Sequence, residues 1–131
     1  MIVLALAALV SAQCVAIDGD TLSCLTTGHR RVHVRLNGID APELAGHCRK
    51  TRICAPGDPL ASKANLKGLV DGQDVRWRSL GKDLYHRTIA EPRANGIDLS
   101  CAQLTGGFAI YKPKWDNRHA LIANCPAARL P

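Results

Sequence analysis

The chain has 131 residues, enough for one domain with a real core but too few for two. Lys and Arg total 17 against 11 Asp and Glu, a net charge of +6 that favours polyanionic partners such as nucleic acid. Two Trp, two Tyr and one Phe exclude a large base-stacking surface and leave the core to Val, Leu, Ile and Ala.

The N-terminus is apolar from Ile2 to Val10, then small, with an A-x-A-like cleavage site before Gln13. Residues 1–12 therefore read as a signal peptide and 13–131 as the folded domain, an exported protein, secreted or periplasmic. The apolar run is too short for a spanning helix, and no membrane association is expected once it is removed. Six cysteines, an even number, agree with an oxidising compartment. Cys14 and Cys24 flank Asp18-Gly19-Asp20 symmetrically, so a hairpin centred on Gly19 would place them opposite each other. Cys48 and Cys54 would close a small loop, leaving Cys101 and Cys125 to tie a helix to the C-terminal tail. The cysteine spacing shows no CxxC pair of the kind that holds zinc.

Cys14–Ile17 and Thr21–Thr26 are expected as strands joined by the Asp-Gly-Asp turn. After a second turn at Thr27–His29, Arg30–Leu36 alternates, with Val32 and Val34 on one face and Arg31, His33 and Arg35 on the other. Ala45–Asp58 has no period and reads as a functional loop pinned by its own cysteines. Asp58-Pro59 is an N-cap followed by a first-turn proline, opening a helix over Leu60–Val70 that Asp71-Gly72 stops. Leu60, Ala64, Leu66 or Lys67, Leu69 and Val70 fall at rough helical spacing along it. Strands are expected at Asp74–Ser79 and Thr88–Glu91, a helix at Ile97–Thr105 before Gly106, and a short helix near 117–124.

The densest chemistry lies in Val34–Leu44, VRLNGIDAPEL, which sets Arg35, Asp40 and Glu43 beside a fixed proline corner. Pro42 restricts its own φ and pushes Ala41 toward extended geometry, so both carboxylates leave the strand in set directions. Neighbouring carboxylates repel unless a cation or proton sits between them, and hard divalent cations prefer such oxygens. An arginine upstream offers a planar fork for phosphate, which together suits phosphoryl transfer. Asp20, after the first turn, lies at the sheet end to which the corner after the third strand returns, so Asp20 and Asp40 can converge.

Three strands, a helix, two strands and terminal helices are the order of an oligonucleotide-binding (OB-fold) barrel. The fold class expected is therefore α+β, mainly β, a five-stranded barrel with about three helices. IDGDTL at Ile17–Leu22, VRLNGIDAPE at Val34–Glu43, DLYHR at Asp83–Arg87 and GFAIYKP at Gly107–Pro113 resemble, in order, the motifs of the thermonuclease, or staphylococcal nuclease-like, family. That resemblance implies calcium on Asp20, Asp40 and the backbone carbonyl of Ala41, where the family often has threonine, with Asp18 supporting them from behind. It implies Glu43 as general base or positioner of the attacking water, Arg35 and Arg87 as the pair that grips phosphate, and Tyr85 and Tyr111 as nucleotide-pocket tyrosines. The family commonly has glycine where His86 stands, a departure that bears on how Arg87 is placed.

The expected function is a calcium-dependent phosphodiesterase acting as a monomer on DNA and RNA with little sequence specificity and leaving 3′-phosphate ends. Phosphate contacts carry no base information, which accounts for the breadth. No stable protein partner is implied. The alternative is a non-catalytic barrel that only binds nucleic acid through charge and stacking. A cationic protein acting on membranes would need a strongly amphipathic basic helix, and the sequence has none.

Overall fold

The computed structural model describes residues 8–130. The expected leader lies outside the described residues as far as residue 7, and its last three residues begin the first strand, β1 (Val10–Ala16). A cut before Gln13 falls inside that strand. β2 (Thr21–Thr26) and β3 (Arg31–Leu36) complete an antiparallel meander with β1, and Cys14 faces Cys24 across the first pair. β4 (Ile39–Asp40) forms the corner. Helix α1 (Pro59–Val70) follows, capped by Asp58, whose carboxylate accepts from the N–H groups of Leu60 and Ala61. Then come β5 (Val75–Trp77), β6 (Ser79–Lys82), β7 (Thr88–Ala90), β8 (Arg93–Ala94) and β9 (Ile97–Asp98). Helix α2 (Leu99–Thr105), β10 (Ile110–Tyr111), two short 3₁₀ turns, helix α3 (Ala120–Asn124) and a last 3₁₀ turn end the chain.

The fold is an OB-like α+β arrangement, a curled mixed sheet with three α-helices among the described residues. The strand count differs from the five expected: eight strands form the main sheet in the order β6-β7-β3-β2-β1-β5-β8-β9, and β10 pairs separately with β4. The expected fourth strand breaks at Arg78 into β5, which pairs with β1, and β6, which pairs with β7 at the far edge. One stretch of chain thus joins both sides of the sheet and curls it. The other additions are two-residue ladders, too short to show a period. β3 and β7 pair in parallel, which brings the end of β3 beside the segment after Arg87. Ile97 and Asp98, expected as helix, are strand because Asp98 serves as the N-cap of α2 and accepts from Cys101 N–H.

Leu22, Val34, Leu36, Ile39, Leu66, Val70, Val75, Leu99 and Leu121 fill the core. The buried stripe of α1 is Ser62, Leu66 and Val70, not the Leu60 and Ala64 expected, and Leu60 is 68% exposed. The reason is a close approach. A Cβ on Gly19 would stand 1.8 Å from Ser62 Oγ, so only glycine lets the first hairpin turn press on α1 there. Gln103 then clamps the junction, donating to the carbonyls of Gly19 at 2.8 Å and Ser62 at 2.9 Å. These contacts fix the turn carrying Asp18 and Asp20. The disulfides are Cys14–Cys24, Cys48–Cys54 and Cys101–Cys125, the pairing that hairpin symmetry and spacing predict. No helix among the described residues is long and apolar enough to cross a membrane.

Candidate active site

The corner Asn37–Pro42 sits at the meeting of β3, β4 and the tail. Gly38 has φ +78, and a Cβ there would lie 2.8 Å from Leu121, so the turn needs glycine twice over. Asn37, 1% exposed, donates from its amide to Glu91 and Asp116, each at 3.0 Å, and its oxygen accepts from Asn117. Ala41 N–H donates to Asp20 Oδ2 at 2.9 Å, which ties the first hairpin to the corner. Asp20 and Asp40 therefore converge as expected, and Arg35 lies between them, its Nη2 at 3.3 Å from Asp20 and 4.0 Å from Asp40.

Asp18 supports this junction by accepting from Asp20 N–H at 3.0 Å. Burial, and then the charge of Asp20, push its pKa up to about 7. Asp40 is 1% exposed, and its Oδ2 is buried with no hydrogen-bond partner. A buried carboxylate oxygen left without a donor is costly unless a cation comes to it. Among the described residues no three His, Cys, Asp or Glu side chains are close enough together to hold a metal ion by themselves. The residues that could hold a hard cation are Asp20 and Asp40, with the Ala41 carbonyl expected beside them and water and substrate oxygens left to complete the shell. On the evidence of Asp40 Oδ2, these residues suit calcium.

Arg52, which sequence reasoning missed, spans the acidic corner. Its Nη2 lies 2.8 Å from Asp40 Oδ1 and its Nη1 2.9 Å from Glu43 Oε1. It comes from the loop that Cys48–Cys54 closes, where Arg52 N–H donates to the Arg49 carbonyl. Trp115 was missed as well. Its ring lies 5.5 Å from the Arg35 guanidinium, 5.4 Å from that of Arg52 and 5.1 Å from Lys112 Nζ, within cation–π range of all three. Neither had a sequence signal: Arg52 is one of several basic residues in an aperiodic loop, and Trp115 sits in a 3₁₀ turn.

Arg87 lines the same groove, of about 770 Å³, as Asp18, Asp20, Arg35, Glu43, Arg52, Tyr85 and Trp115. Asp83 holds it: Oδ2 accepts from Arg87 Nε at 2.6 Å and Oδ1 from Arg87 N–H at 3.0 Å. Burial opposes the Asp83 charge, but these bonds outweigh it and keep its pKa below the ordinary value. His86 adopts φ 64, the left-handed region that glycine occupies without strain. Arg87 nevertheless reaches the groove, with its guanidinium 5.4 Å from the Tyr85 ring. Tyr85 is 62% exposed at the groove edge. Tyr111 is placed otherwise: it does not line the groove, and its hydroxyl donates to Asp116 at 2.6 Å. Burial and that carboxylate push its pKa up to about 12.

A curled OB-like sheet with paired carboxylates under an arginine-lined groove is the architecture of a nucleic-acid-processing domain. The staphylococcal nuclease homologue family model matches residues 33–129, and the chain belongs to that family. Arg35, Asp40, Ala41, Glu43 and Arg87 fall within the match, whereas Asp18 and Asp20 precede it. A Haemophilus influenzae protein described as an uncharacterized endonuclease is 45% identical over 96 residues, 72% of this chain. Those residues are 48% of the relative, so the chain spans about half its length.

Proposed function

We propose that this protein is an exported, calcium-dependent nuclease that hydrolyses phosphodiester bonds in DNA and RNA and leaves 3′-phosphate ends. The observation that carries this reading is one groove lined by Asp20, Glu43, Arg35 and Arg87, with the buried Asp40 carboxylate 4.0 Å from the Arg35 guanidinium. Calcium held by Asp20, Asp40 and the Ala41 carbonyl would supply charge neutralisation at the phosphoryl oxygens. Arg35, fixed by Asp20 and its own strand, presents a planar fork to the phosphate. Glu43 takes or orients the hydrogen of the attacking water. Arg87, braced by Asp83, stabilises the charge that develops in the in-line transition state and on the leaving oxygen. None of these groups reads a base, so cutting is broad.

The Arg52 bridge across Asp40 and Glu43 favours a second reading, a barrel that binds nucleic acid without cutting it. Digestion of single-stranded DNA with calcium, and then with a chelator, separates the two. Calcium-dependent cutting that falls at least a hundredfold in Glu43→Gln supports the nuclease. Undiminished cutting in that variant would sink the mechanism, and binding without cutting in the wild type would leave the binding module.

A further inference from the structure

A second cleft, of about 750 Å³, adjoins the groove and shares His33, Tyr85 and Arg87 with it. Its charged lining is Arg30, Arg31, Lys82 and Arg87, with His33 and His86, and no Asp or Glu lines it among the described residues. The groove itself mixes both signs. A cleft of one sign next to a phosphate site raises the local concentration of a polyanion.

The two are joined along β3. Arg35, His33 and Arg31 alternate on one face of that strand, about 7 Å from one to the next. That interval is close to the phosphate step of an extended nucleotide chain. Arg31 is held over this face, because its Nη1 donates at 3.0 Å to Oγ of Ser23, the cross-strand partner of His33. Of β3 only Val34–Leu36 pairs with β7, so the Arg31–His33 half of the strand keeps its outer edge open beside the cleft. Charges in one file follow one backbone, not the two of a duplex.

We propose that Arg30, Arg31 and Lys82 form an extended subsite that holds single-stranded nucleic acid on its way out of the groove. The proposal rests on the groove being the phosphate site, and it adds that the substrate is a strand several nucleotides long. It assigns these three residues to binding alone.

The test is fluorescence anisotropy of labelled oligothymidylates, a trinucleotide and a dodecanucleotide, in chelator so that nothing is cut. The triple variant Arg30→Gln/Arg31→Gln/Lys82→Gln should bind the dodecanucleotide at least tenfold more weakly and the trinucleotide as the wild type does. Its salt slope, d log K/d log[salt], should shrink by about 2, three charges on a single strand. Equal losses at both lengths, or no loss on the dodecanucleotide, would overturn the subsite. Arg30 and Lys82 are exposed, and neither side chain makes a hydrogen bond or ion pair among the described residues. The pair Arg30→Gln/Lys82→Gln therefore gives the same length-dependent loss even if losing the Arg31–Ser23 bond disturbs the sheet edge. A wild type that binds by length but cuts nothing with calcium would instead fault the nuclease reading and leave the subsite standing.

Discussion

Replacing Arg52 by glutamine should tighten calcium binding about tenfold. The Arg52 guanidinium sits 2.8 Å from Asp40 and 2.9 Å from Glu43, on the carboxylates a cation would approach. Unit charges near 4 Å interact by about 4 kcal/mol at the effective dielectric of a protein surface. The Arg52 side chain is 35% exposed, so solvent screens much of that. Keeping roughly a third leaves about 1.4 kcal/mol, a factor of about ten in a dissociation constant. The sign does not depend on the route. An ion that takes Asp40 Oδ1 must displace Arg52, and one that takes Oδ2 sits beside it and meets repulsion.

Isothermal titration calorimetry at fixed ionic strength, with the disulfides intact, reads the effect directly. Arg49→Gln is the control, since it removes the same charge from the same loop and Arg49 makes no ion pair among the described residues. Emission of Trp115, whose ring contacts Arg52, should change on calcium titration of the wild type, while Trp77, 3% exposed, stays constant. An Arg52→Gln protein that binds calcium no more tightly than Arg49→Gln would refute the reasoning.

Two further outcomes follow from the backbone and from a half-buried acid. His86→Gly should raise stability by about 1 kcal/mol in urea unfolding, because φ 64 costs a side chain that glycine lacks; a less stable glycine variant would contradict this. Burial, opposed by the Asn37 amide and reinforced by Asp98, pushes Glu91 up from 4.5 to about 7. The folded state then holds the proton more tightly than the unfolded chain, so this contribution is complete below about pH 4.5 and is lost as pH rises through 7. Glu91→Gln should therefore gain on the wild type between pH 4.5 and 8, by about 3 kcal/mol for the full shift and roughly 2 once solvent screening of a half-buried group is taken off, and parallel pH profiles would exclude the effect.

The site was legible where local chemistry and strand geometry act together. Proline at 42 and the alternation of Arg30–Leu36 determine where Asp40 and Glu43 leave the sheet, and hairpin symmetry about Gly19 places Asp20 and the first disulfide. Helix α1 was legible from its Asp58 cap, but its buried face was not. Ser62 turns inward because Gly19 presses on it, a pairing across 43 residues that no period records. The strand count failed for a like reason, since β8, β9, β4 and β10 are held by partners rather than by alternation. Tyr111 reads as a pocket residue until Asp116, fixed by Asn37, takes its hydroxyl.

Arg52 is the most instructive omission, because the need for it was legible and its source was not. Asp18, Asp20, Asp40 and Glu43 crowd one corner, and such a cluster is unstable without cations. The chain answers with Arg35 between Asp20 and Asp40 and Arg52 between Asp40 and Glu43. Even so, burial and Asp20 leave Asp18 pushed up to about 7, and Asp40 Oδ2 still has no donor. Two arginines balance the corner well enough to fold and leave one buried oxygen facing a deficit of positive charge. A divalent cation gains most from that oxygen, and Arg52, on an exposed disulfide-closed loop, is the counter-charge best able to give way to it.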